Sequence, residues 1–117
     1  MGRIVMIVRK SPYADINVAE ALRHAMGSLA GNLAVDMILV DGGVLVARKG
    51  QDITGTSFTN LGGALKNCID SDLAVYAERA SLSEQHLEAS DIAEGVRIVD
   101  AADIAELVQK ARATMIF

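Results

Sequence analysis

Cysteine supplies the strongest nucleophile a protein of this composition can offer, and the chain has one, Cys68. A thiol of ordinary pKa is already a few per cent thiolate at neutral pH, enough to attack an electrophilic sulfur without a partner base. Its neighbours argue for a different role. Leu61, Ala64, Leu65 and Cys68 recur at helical spacing on one apolar face. Free cysteine is among the most buried residue types, and buried thiols are inert. A place late in a helix also sets the sulfur against the negative end of the helix dipole. Cys68 is therefore read first as a packing residue and second as a candidate nucleophile.

The other chemistry-bearing residues are spread along the chain. His24 and His86 have no second His or Cys at ligand spacing, so neither a metal nor a bound cofactor is expected. The Arg9-Lys10-Ser11-Pro12-Tyr13 segment holds no glycine, and Asp41-Gly42-Gly43 lacks the G-x-G-x-x-G spacing of a dinucleotide fingerprint. There is no G-x-S-x-G elbow, and spacing alone pairs no serine with a base. Glu78-Arg79 has two readings: a polar rim offering Arg79 to an anion and Glu78 to a proton, or an exposed ion pair or intersubunit contact of little energy. Gly62-Gly63 costs a helix about 1 kcal/mol per glycine. Either a ligand or neighbouring subunit approaches the backbone there, or the helix starts later.

The elements that position these residues are legible from periodicity. Arg3 to Arg9, Leu33 to Val40, Leu73 to Ala77, Val96 to Val99 and Thr114 to Phe117 read as strands, short apolar runs suited to burial. Helices are expected from Asp15 to about Leu29, from a Thr59-Asn60 cap to Ile69, and from an Asp100 cap to Ala111. Val44 to Arg48 reads as a short helix or a strand, too short for periodicity to decide, Gly50 to Phe58 reads as a loop, and Glu78 to Asp91 as a loop with one helical turn. Parallel strands joined by such crossovers need cover on both faces. The expectation is one α/β domain over residues 1–117, a three-layer α/β/α fold around a mostly parallel five-stranded sheet. Sites in such folds lie outside the carboxyl ends of the strands. That places the candidate binding residues at Tyr13, Asp41, Gly42, Glu78, Arg79 and Ser81.

Composition narrows the partners. Hydrophobic residues make up 51% of the 117, more than a small interior hides, so oligomerisation is expected. A net charge of −4, scattered basic residues and 3% aromatics argue against nucleic acid. No apolar run approaches the roughly 18–20 residues of a membrane span. With one cysteine there is no internal disulfide, and no leader-like segment precedes Arg3, so the cytoplasm is the expected compartment.

Five segments in order give the chain a likeness to a known family. They are Arg3 to Val8 with Ser11-Pro12-Tyr13, Asp41-Gly42 through Gly50-Gln51, Val75 to Leu82, Gly95 to Val99, and Met115-Ile116-Phe117. Together they resemble the DsrE/DsrF-like family, in particular its DsrF/TusC type of sulfur-relay subunit. The resemblance implies sulfur trafficking, and trimers or hexamers of one chain or of paralogous subunits. Active members carry a persulfide-bearing cysteine after the third strand, and aligned through Tyr76 and Ala80-Ser81-Leu82 that position falls on Glu78. A carboxylate holds no sulfane sulfur, so the resemblance implies a non-catalytic subunit. The alternatives are a sulfurtransferase using Cys68, and a small-anion or nucleotide binder at the strand-end loops.

Overall fold

The computed structural model describes residues 3–117. Five strands, β1 (Ile4–Val8), β2 (Val35–Leu39), β3 (Ala74–Glu78), β4 (Val96–Val99) and β5 (Ala113–Ile116), form one sheet in the order β4-β3-β2-β1-β5. Every pairing is parallel. Four α-helices join them: α1 (Asn17–Ala30), α2 (Leu61–Asp70), α3 (Arg79–Glu84) and α4 (Ala101–Lys110). Two 3-10 segments, Asp41–Ala47 and Ala89–Asp91, complete the regular structure of the described residues.

Strand composition follows position in the sheet. β2 is central and buried at all five positions, as its near-continuous apolar run requires. Its one charge, Asp36, is 2% exposed and is held by both Arg3 Nε and Nη2, at 2.7 and 2.8 Å. β5, at an edge, is exposed at all four positions, and Met115 and Ile116 face solvent. The strand ends differ from the sequence expectation by a residue or two: β3 runs one residue further, to Glu78, and β5 starts one earlier, at Ala113.

Topology divides the helices unequally. β1 to β4 advance one strand at a time in one direction, so right-handed crossovers put α1, α2 and α3 on the same face. The return from β4 to β5 runs the other way and puts α4 alone on the opposite face. The first face holds the core. There Met6, Val8, Met37, Leu39, Val75 and Ala77 pack against Val18, Ala21, Leu22 and Ala25 of α1 and Leu61, Leu65 and Cys68 of α2. On the second face α4 buries none of its residues fully; Ile104, Leu107 and Val108 are half-buried.

The segment after β2 departs most from expectation. Asp41-Gly42-Gly43 reads as a turn, yet it opens a 3-10 helix that continues to Ala47. Asp41 turns the chain out of β2 with φ 49°, a left-handed conformation that aspartate tolerates better than most residues. Gly43 then passes so close to β1 that a Cβ there would lie 2.1 Å from the Val8 carbonyl oxygen. α1 likewise starts at Asn17, not Asp15, because the Asp15 carboxylate accepts the Asn17 amide at 3.2 Å in a turn before the helix.

Candidate functional site

The carboxyl ends of the strands gather most of the expected residues. β3 sends its chain to α3 on one face, while β4 sends its chain to α4 on the other. Adjacent strands that diverge in this way open the crevice where ligands of α/β folds bind. Glu78 ends β3 at this crevice, and Asp100 follows β4.

Three of the expected residues form one chain of hydrogen bonds. The Asp41 amide donates to Ser81 Oγ at 2.8 Å, and Ser81 Oγ donates in turn to the Glu78 carboxylate. Ser81 is 1% exposed and Glu78 half-buried, so this relay is largely shielded from water. It ties the end of β2 to the start of α3. Glu78 precedes the first residue of α3 and Ser81 is its third, the spacing at which side chains around a helix start meet. The reading that spacing pairs no serine with a base is corrected here: Glu78 and Ser81, three apart across a helix start, meet. The Asp41 carboxylate itself is exposed and accepts no hydrogen bond among the described residues.

Arg79 pairs with Asp100, not with its neighbour Glu78. Its Nε lies 2.9 Å from Asp100 Oδ1, with both side chains more than 60% exposed (62% and 64%). The pair spans the β3–β4 crevice, and in that solvent it adds little stability. Gly42 lies beside Ser11, where a Cβ would meet the serine hydroxyl at 2.2 Å. The loops after β1 and β2 therefore touch directly.

Tyr13 belongs to a separate network. Its hydroxyl donates to Gln51 Oε1 at 2.6 Å and accepts the Leu61 amide at 3.1 Å. Gln51 Nε2 donates onward to the Val46 and Arg48 carbonyls at 2.7 and 3.0 Å. Tyr13 thus pins the loop that follows the 3-10 segment to the start of α2. A Tyr13→Phe variant removes both hydroxyl bonds and leaves the Leu61 amide without its partner. Chemical denaturation is expected to show a loss of about 1–2 kcal/mol with an unchanged fold by circular dichroism.

Cys68 stands apart from the strand ends. It lies in α2 at 1% exposure, its thiol directed to the Leu22 carbonyl at 3.9 Å, and burial pushes its pKa up. A shallow apolar groove between α1 and α2, about 310 Å³, passes over it and is lined by Leu22, Met26, Leu61 and Ala64. The second reading of Gly62-Gly63, a later helix start, does not hold. α2 begins at Leu61 with Asn60 as its cap, the Asn60 side chain accepting the Gly63 amide at 3.0 Å.

With this architecture in view, the class of protein is settled by comparison. Residues 2–117 match the DsrE/DsrF-like family, and the chain belongs to it. It is 25% identical to the intracellular sulfur oxidation protein DsrF of Allochromatium vinosum, over 98% of this chain and 96% of that one. It is 26% identical to the uncharacterized protein MJ0989 of Methanocaldococcus jannaschii, over 92% and 93% of the two chains. Among solved structures it is similar to the ychN protein from E. coli, with a TM-score of 0.91, 19% identity and complete coverage of both chains (100% each). The protein MTH1491 of Methanobacterium thermoautotrophicum follows the same fold, with a TM-score of 0.79 and 15% identity over 100% of both chains. No helix of the described residues is long and apolar enough to cross a membrane.

Proposed function

We propose that this chain is a non-catalytic, oligomer-forming subunit in cytoplasmic sulfur trafficking. It contributes by association with its own copies or with paralogous subunits, not by carrying sulfur. One observation bears most of the weight. At the end of β3, where the family resemblance puts a persulfide cysteine, stands Glu78, engaged by Ser81. The sole thiol sits in the helical layer, buried and directed at a backbone carbonyl. The relationship to a sulfur oxidation protein supports the sulfur setting. The exposed β5 and the thin cover of α4 supply surface for neighbours.

Two measurements on one sample test the reading. After incubation with a polysulfide donor, intact mass should show no added sulfur atom, and sedimentation should give a multiple of the 12.4 kDa chain. A persulfide on Cys68 would overturn the non-carrier reading and favour the sulfurtransferase. A monomer at micromolar concentration would overturn the subunit reading.

A further inference from the structure

We propose that the cleft between the end of the first 3-10 segment and the start of α2 binds a compact oxyanion carrying two or more negative charges. The cleft measures about 280 Å³, and Arg48, Lys49 and Lys66 line it with Asn60, Gly62 and Gly63. One acid, Glu94, lines it as well. No carboxylate lies within 4.0 Å of the three cations among the described residues; Arg3, Arg23, Arg79 and Lys110 each have one, while Arg9, Lys10, Arg97 and Arg112 are unpaired too but do not line this cleft. Acidic partners are not scarce in a chain of net charge −4. Three unpaired cations lining one concavity repel one another where their separation is shorter than the roughly 10 Å screening length of ordinary buffer. A multivalent anion relieves that repulsion.

The cations stand on fixed backbone. The Lys49 amide donates to the Asp91 carbonyl at 2.8 Å, the Ala93 amide to the Ala47 carbonyl at 2.8 Å, and Arg48 bridges to Ile92. Lys66 shares a face of α2 with Gly62 and Gly63, four and three residues back. Packing restricts the two positions unequally. A Cβ on Gly62 would lie 2.8 Å from Gln51 Nε2, but one on Gly63 would make ordinary contacts with Asn60 at 3.5 Å and beyond. Gly63 therefore forgoes helix propensity without a packing reason, and its missing side chain keeps the cleft wall open below Lys66. The helix end is not the source of the site. The Leu61 amide is already taken by Tyr13 and the Gly63 amide by Asn60. The concave shape suits a phosphate, pyrophosphate or small sulfur oxyanion.

Titration calorimetry and amide NMR with pyrophosphate and with thiosulfate test the site. The expected result is saturable binding of at least one probe with Kd of about 1 mM or tighter. Shifts should be largest at Gly62, Gly63 and Lys66. Lys66→Ala should weaken binding about tenfold or more, while Arg112→Ala, an exposed cation elsewhere, leaves it unchanged. Gly63→Ala should raise Tm while weakening binding, opposite signs that a purely structural role does not produce. Absence of binding by both probes, shifts centred elsewhere, or equal losses in Lys66→Ala and Arg112→Ala would each overturn the proposal. The outcome is independent of whether Cys68 accepts sulfur.

Discussion

Native protein treated with a thiol reagent at neutral pH will label Cys68 about a thousandfold more slowly than the same chain in denaturant. Two effects combine. The thiol is 1% exposed beneath α1, so reagent reaches it only when α1 and α2 part. Opening events in small domains cost anything up to the global stability, and about 4 kcal/mol suffices for this factor. Burial also raises the thiol pKa, which lowers the thiolate fraction at any pH below it. Because the folded pKa lies above the unfolded one, labelling of native protein should go on rising with pH after the denatured chain has levelled off. Equal rates in the two states would show an accessible thiol and revive Cys68 as a sulfur carrier.

Gly43→Ala is expected to cost about 4 kcal/mol or more and to leave little folded protein in urea titrations. The added methyl group would sit 2.1 Å from the Val8 carbonyl oxygen and 2.8 Å from its carbon. That oxygen also accepts the Val40 amide at 3.0 Å, so it cannot retreat without opening β1 from β2. Two comparisons calibrate the effect. Gly42→Ala meets the Ser11 hydroxyl, which can rotate away, and should cost less. Gly27→Ala, in the last turn of α1 with nothing within 4 Å of the new Cβ, should stabilise by up to about 1 kcal/mol. A Gly43→Ala variant as stable as the parent would contradict the close approach of the 3-10 segment to β1.

The strands and helices were legible because local pattern and tertiary role agree. Ile4 to Val8 and Met37 to Leu39 are unbroken apolar runs, and they are the buried middle of a parallel sheet. Asn60 and Asp100 precede apolar-periodic segments, and both stand at helix starts. The 3-10 segment was legible only in part: a short helix was one of two readings for Val44 to Arg48, but its start at Asp41 was not, because that path depends on Gly43 passing over β1, a contact that periodicity does not encode. The same limit applies to the site. Residues Glu78 and Ser81 lie three apart in sequence, whereas Arg79 and Asp100 meet only because β3 and β4 pair. Arg48-Lys49 looks like one more scattered basic pair until Lys66 arrives from the far side of a loop.

The β1–β5 seam joins opposite ends of the chain, Ile4 beside Ala113 and Ile7 beside Ile116. Contacts so remote along the sequence return their energy only after a long stretch of polymer has been ordered, which slows folding. Until that seam zips, the outer rim of β1 offers unpaired amides and carbonyls as a template for any extended segment nearby. Refolding speed and resistance to clumping are therefore governed by one and the same margin of the molecule.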